Sequence, residues 1–473
     1  MEKTIKKIED FWEYDDKGKV KIVQSKLIQF LNDSGFSKSE ITKTNYILVH
    51  ESGNIVHEIM DFVIVDFVKN YLKKVDKGDV LDEFSKGVST YISTSKLRLL
   101  NTIKLINDRD SEGLCWFYFK NICCQVGSKS ISQVFYENLN RKIWANRIIP
   151  QDFVTPDNTK AQFETFCNNL SGMDKDRFLA LQTIMGYLMH RHYYSKEAKA
   201  IIFIDENISL DGTANGGTGK SLLLQAIGKC REVVVVDGKN IKVKSWFRNQ
   251  RVNRTTDVIF YDDITKDFSL ETLYSEITTG ISIEKKYKAE EYIKPEDAPK
   301  ICISSNYIVN GTGGSTDERR RCEFEVANYY GLELQPDQEF GNLFFTEWDG
   351  MEWSRFFQFM MGCVQKFLQY GLITPKPINL KQNRLINATC IEFVALIEAG
   401  VVEENKWIEK KTVFELFIDE FPHKSTLSSN QLTKWFKEYA KHKNLIYEDR
   451  KSGEKYEFYL KDVNKLAVGN EKK

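Results

Sequence analysis

The sequence predicts an α/β protein with a parallel sheet at its centre, and three observations carry that prediction. Short apolar runs, "AIIFI" at 200–204, "EVVVVD" at 232–237, "VIFYDD" at 258–263 and "KICISSN" at 300–306, alternate with helical patterns, as parallel βαβ units require. A glycine-rich turn, "DGTANGGTGKSLLLQAIG" at 211–228, sits between the first of these runs and an apolar stretch with helical spacing. The later runs close on acids or an amide, at the carboxyl ends of strands where open α/β sheets bind their ligands.

The glycine-rich turn has the strand, loop and helix context of a phosphate-binding loop. Backbone N–H groups can surround a phosphate only where side chains are absent, which gives Gly216, Gly217 and Gly219 their use. Lys220 would reach the β- and γ-phosphates, the Ser221 hydroxyl would ligate Mg²⁺, and the helix opening near Lys220 adds its positive end. The strict GxxxxGK[ST] pattern is broken by Ala214 in the first glycine position, and the link over 205–215 is long.

In "VIFYDD" an acid at the mouth of a buried strand can hold hydrated Mg²⁺ while a second orients or deprotonates the attacking water. Asp262 is assigned to the metal and Asp263 to the water. Asn306, closing "KICISSN", can hydrogen-bond both γ-phosphate and water. Between them "ISIEKKYKAEEYIKPEDAPK" reads as a β-hairpin with Lys286 and Lys288 near its tip, where ammonium groups suit a nucleic-acid backbone. A solvated charged hairpin is the bland alternative. "STDERRRCEFEV" supplies Arg319, Arg320 and Arg321 ahead of a strand, either for the γ-phosphate of a neighbouring subunit or for nucleic acid.

With these residues in order, 197–330 resembles a superfamily 3 helicase, the compact AAA+ ATPases of DNA viruses, phages and plasmids. The resemblance implies an AAA+ core that binds ATP and Mg²⁺, forms a ring (usually a hexamer) and moves along single-stranded DNA in its channel in the 3′ to 5′ direction. Residue by residue, it implies that Gly216, Gly217, Thr218, Gly219, Lys220 and Ser221 hold nucleotide with Asp262. It gives Asp263 the water, Asn306 the sensing of nucleotide state, and Lys286 and Lys288 the DNA in the channel. Arg320 best matches the interface arginine, with Arg319 or Arg321 as substitutes. The helical region over 156–196 looks like the collar preceding this ATPase in phage and poxvirus-type primase-helicases, and a separate primase is a possible partner.

Composition bounds the rest. At 473 residues the chain exceeds one compact core and is expected to hold about three or four domains. Lys and Arg number 67 against 67 Asp and Glu, so nucleic-acid binding must come from local patches rather than from a global field. Nine cysteines without a CxxC pair read as reduced thiols, with the adjacent Cys123 and Cys124 in the core. No stretch approaches the roughly 20 apolar residues that span a bilayer, so the expectation is no membrane and a cytoplasmic location, in a bacterial host if the source is a phage.

Residues 1–155 read as an α+β domain for docking or DNA binding, with helical patterns in "KLIQFLNDSGF", "IMDFVIVDFVKNYLKKV" and "LRLLNTIKLI". "YDD" at 14–16 and the helix-borne Asp61 and Asp66 make no primase site. "HRHYY" at 190–194, on a helical pattern, imitates a rolling-circle nuclease motif but carries Arg191 where an apolar residue is needed. After the core at 197–335, residues 336–404 read as a helical extension and 405–473 as a winged-helix-like domain. There Ser428 and Gln431 form a capping box, and Lys434, Lys437 and Arg450 suit either duplex DNA or the solvated face of a protein-interaction domain. "KNIKVKSWFRNQR", basic and aromatic, suits single strands or a subunit interface. The reading is therefore a ring-forming, ATP-dependent DNA helicase of a phage or mobile element. The rivals are an ATP-switched initiator or loader and a small-molecule kinase.

Overall fold

The computed structural model describes residues 10–42, 45–104, 109–207, 217–241, 245, 247–286 and 290–462. At its centre five strands form one parallel sheet in the order Val233–Asp237, Val258–Ile264, Lys300–Ser305, Ala200–Asp205 and Arg321–Val326. The strand that precedes the glycine-rich loop is thus flanked by the strand leading to Asn306 and by the strand that follows the arginine run.

Both faces of this sheet are covered, which is why its strands are apolar almost throughout. Alternate residues feed two different cores, as the two-residue period of a strand demands. Ile201, Phe203, Val258, Phe260, Cys302 and Phe324 enter the larger one. Ile202, Ile204, Ile259, Tyr261, Ile301 and Ile303 enter the other, beside Leu270, Leu273 and the hairpin residues Ile281, Ile283 and Ile293.

The larger core is built by helices Gln162–Leu170, Lys175–Met189 and Gly350–Tyr370. Asp174 caps the second of these, accepting from the Asp176 and Arg177 amides at 2.9 and 2.8 Å. Gly186 lets it approach the third, since a Cβ there would lie 2.3 Å from the Cys363 carbonyl oxygen. The helical region expected over 156–196 ends earlier. His190 is the C-cap in extended conformation, and "HRHYY" continues as coil because Arg191 is drawn into an ion pair with Asp110 at 3.2 Å. The hairpin Leu114–Phe119 and Cys123–Gly127 packs into the same core, and Cys123 and Cys124 are buried.

Ahead of it, helices Gln24–Asp33, Asp61–Lys74 and Gly78–Lys86 share a separate core with Phe11, Trp12 and Phe36. "LRLLNTIKLI" is not a helix where it is described. A short turn of helix, Thr94–Leu97, gives way to a strand at Thr102–Ile103 paired with Lys38–Ser39. Its peptide groups are claimed by that neighbour: Lys38 donates its backbone N–H to Asn101 O and its ammonium to Leu100 O, both at 2.9 Å.

At the far end, helices Lys410–Glu420 and Ser429–Lys443 pack on a three-stranded antiparallel sheet closed by Ile446–Ser452 and Lys455–Lys461. Leu385, Phe393 and Leu396 of the preceding helices belong to that same core. Half of the expected capping box is present: the Ser428 hydroxyl accepts from the Gln431 amide at 3.2 Å. Among the described residues no helix is long and apolar enough to cross a membrane.

Candidate phosphate-binding site

Helix Lys220–Cys230 starts at Gly219, whose φ of 98° is open to glycine at little cost. A side chain there would also collide with Phe166, its Cβ 2.8 Å from the ring. Gly217 has φ 96°, and Gly216 lies outside the described residues. Buried Leu223, Leu224, Ala226 and Ile227 anchor the helix, so the loop is presented by a fixed element. Ser221 is exposed in its first turn.

Lys220 reaches three partners. Its Nζ lies 2.5 Å from Asp205 Oδ2, 3.1 Å from Asn306 Oδ1 and 3.2 Å from Thr218 Oγ1. Thr218 donates to the other Asp205 oxygen at 2.6 Å. Asn306 in turn donates from Nδ2 to Asp263 Oδ1 at 2.9 Å, and Asp263 Oδ2 pairs with Lys239 Nζ at 2.6 Å. Hydrogen bonding to Asp263 holds the Lys239 ammonium pKa above its ordinary value. Residues far apart in sequence therefore meet in one polar chain.

The acidic pair is aimed by a break in the strand. Pairing with the Asn306 strand shifts register between Tyr261 and Ile264, and Asp263 adopts a left-handed φ of 53°, a conformation that costs free energy and is held by its surroundings. The Ser304 hydroxyl supplies part of that hold, donating to Asp262 Oδ1 at 2.7 Å and accepting from the Asp263 amide at 2.8 Å. Gly238 supplies another part, since a Cβ on it would stand 2.4 Å from the Asp262 carbonyl oxygen. The two carboxylates diverge: Asp263 faces Asn306, and Asp262 faces Ser304.

Other expected residues lie elsewhere. Arg321 is buried, paired with Asp317 at 2.8 Å and Glu323 at 3.1 Å, and is therefore unavailable to a neighbouring subunit. Arg320 stacks 4.9 Å from the Tyr274 ring and donates to Thr316 O at 2.9 Å, while Arg319 is exposed. Arg321 is level with Ala200 and Val326 with Asp205, which puts the arginine run about 16 Å of strand away from the loop end at ~3.3 Å per residue. The hairpin arms Ile281–Ile283 and Glu291–Ile293 pair as expected. Lys286 is exposed beyond them, and Lys288 lies outside the described residues.

Lys434 and Lys437 are exposed on one helix, with Lys437 5.3 Å from the Tyr447 ring. Arg450 stacks 3.9 Å from Trp407 and pairs with Glu457 at 2.8 Å. In the basic segment Arg248 pairs with Glu276, and Arg254 with Glu291 at 2.5 Å; Trp246 lies outside the described residues. His190 is buried beside Ser111 O at 3.0 Å, and burial pushes its pKa down to about 4. Among the described residues no group of three or more His, Cys, Asp or Glu could hold a metal ion.

Asp205, Ser304 and Lys239 were not singled out from the sequence. Asp205 had a readable signal, because it follows the apolar run "AIIFI" as Asp262 follows "VIFY". Ser304 and Lys239 depend on which strands become neighbours.

No protein-family model matches the chain, and no curated protein matches it. Among solved structures it is similar to the apo C-terminal region of NrS-1, with TM-score 0.43 and 14% identity over 92% of this chain and 98% of that one. It is also similar to JCV helicase bound to an acetamide compound, with TM-score 0.26 and 11% identity over 51% and 64%. Drosophila ORC bound to DNA aligns at TM-score 0.20 and 10% identity over 68% and 95%.

Proposed function

We propose that the chain is an ATP-dependent DNA helicase that works as a ring, with ATP and Mg²⁺ held at the glycine-rich loop. The observation that carries the reading is the bridge from Lys220 through Asn306 to Asp263. It joins a phosphate-binding ammonium, an amide and a carboxylate at the carboxyl ends of adjacent parallel strands, where a γ-phosphate and its attacking water would lie.

Lys220 and the loop amides bind the phosphates, and Asn306 fixes the distance between that charge and Asp263. Asp263 orients the water and accepts its proton. Ser221 and Asp262 would hold Mg²⁺, a hard cation that keeps most of its waters and takes one or two protein oxygens beside substrate phosphates, and it would supply positive charge against that developing on the phosphates. Because the arginine run lies at the opposite end of its strand, Arg320, or the more exposed Arg319, would serve the nucleotide of an adjacent subunit. Lys286 and Lys288 would meet the DNA strand in the channel, and Lys434, Lys437 and Arg450 a duplex.

The test is unwinding of a labelled duplex with a 3′ single-stranded tail, with ATP and Mg²⁺, by wild type and Lys220→Ala. Strand release by wild type alone supports the helicase. DNA-stimulated ATP turnover without release would replace it with an ATP-switched loader or initiator.

A further inference from the structure

We infer that Asp205 is a built-in competitor for Lys220, a positioning residue whose carboxylate holds the ammonium until a nucleotide phosphate displaces it. The inference rests on the phosphate-loop reading above and concerns how that loop sets its affinity.

Asp205 is the last residue of the strand Ala200–Asp205 and is 4% exposed. Both of its oxygens are engaged, Oδ1 by the Thr218 hydroxyl at 2.6 Å and Oδ2 by the Lys220 ammonium at 2.5 Å. Thr218 lies in the loop and Lys220 opens the helix after it, so the strand end grips the two side chains on either side of Gly219. An ammonium on a side chain only 11% exposed is costly without an anion, and a charge-assisted bond to a fixed carboxylate offsets that cost in the nucleotide-free chain.

The same ammonium must reach phosphate oxygens for the loop to work. A lysine can make the exchange because its flexible stem carries three donors. Lys220 keeps Asn306 and trades the carboxylate for a phosphate oxygen, leaving Asp205 with Thr218 beside a polyanion. Like charges in a site shielded from water repel, so nucleotide binds more weakly than the loop alone would allow. A triphosphate suffers this more than a diphosphate.

The experiment titrates a fluorescent ADP analogue and a non-hydrolysable fluorescent ATP analogue, with Mg²⁺, into full-length wild type, Asp205→Asn, Asp205→Ser and Asp205→Glu, each checked for its thermal transition. Removing the charge should tighten binding roughly tenfold, more for the triphosphate, and Asp205→Glu should restore the wild-type value. A carboxylate that merely supported the loop would give the opposite sign, and equal or weaker binding by both folded neutral variants overturns the inference. If wild type and neutral variants alike bind neither analogue, the phosphate-loop reading itself fails; wild-type binding that is lost in Lys220→Ala keeps the two outcomes apart.

Discussion

The Asn306 amide donates to Asp263 at 2.9 Å while its oxygen accepts from Lys220 at 3.1 Å, so one side chain sets the separation of the candidate anion-binding and water-orienting groups. Asn306→Ala should leave nucleotide affinity within about threefold and lower turnover by about a hundredfold, the scale of losing one preorganised donor. Equilibrium binding and steady-state phosphate release on the same preparation separate the two effects.

Lys220→Ala and Asp263→Asn should fail differently. The first removes the ammonium proposed to meet the phosphates, so binding or turnover should be abolished. The second keeps the hydrogen-bonding shape but loses the proposed base, so nucleotide should bind without being hydrolysed. Normal turnover by either variant would remove that residue from its assigned role.

Gly238 bears on the acids through their backbone. In Gly238→Ala the new methyl would meet the Asp262 carbonyl oxygen at 2.4 Å and the Ile264 amide nitrogen at 2.7 Å, both backbone atoms that cannot rotate away. The turn carrying Asp262 and Asp263 must shift, at about 1–3 kcal/mol for a forced overpacking. Turnover should fall well before affinity does, as read by phosphate release against nucleotide titration, with a lower thermal midpoint.

Lys286→Ala combined with Lys288→Ala should leave basal ATP turnover intact and weaken both its stimulation by DNA and unwinding. Each lost phosphate contact also flattens the salt dependence of DNA binding, by about 0.7 in log–log slope for a single strand. Unchanged unwinding by the double variant would free the hairpin from this role.

His190 gives the fold an acid-sensitive joint. Burial holds its folded pKa at about 4, below the ordinary histidine value of 6.5. Between those values the unfolded chain binds the proton and the folded chain does not. The stability from the neutral ring is fully present above pH 6.5 and is lost as pH falls through 4, by a few kcal/mol at most. Thermal melts from pH 7 to pH 4 should show a steeper decline for wild type than for His190→Gln.

The sheet was legible because burial on both faces writes itself as unbroken apolar strands, "VIFYDD" and "KICISSN" each mark a strand end, and "GGTGKS" marks a helix start. Lys220, Asn306 and Asp263 could be named, but not their contact, which needs the Asn306 strand to lie between the other two. Spacing alone made Arg321 resemble its neighbours, yet Asp317 four residues before it and Glu323 two after it claim it for the interior. "HRHYY" kept a helical rhythm past the helix end because His190 and Tyr194 pack together across the coil, 5.7 Å between ring centroids. Lys38 likewise draws 98–101 out of helix through contacts 60 and 62 residues away.

The hairpin Leu114–Phe119 and Cys123–Gly127 rests on a helix made much later. Phe119 meets Phe357 at 4.8 Å between ring centroids, and Gln365 donates to the Gly127 carbonyl across 238 residues. At ribosomal speeds of about 5–20 residues per second, the hairpin waits roughly ten to fifty seconds for that cover. During this interval the side of Phe119 that Phe357 covers in the finished molecule, where Phe119 is fully buried, is open to water. A nascent chain paused between 156 and 350 is thus a ready client for holding chaperones, and slow codons placed there should raise the aggregated fraction.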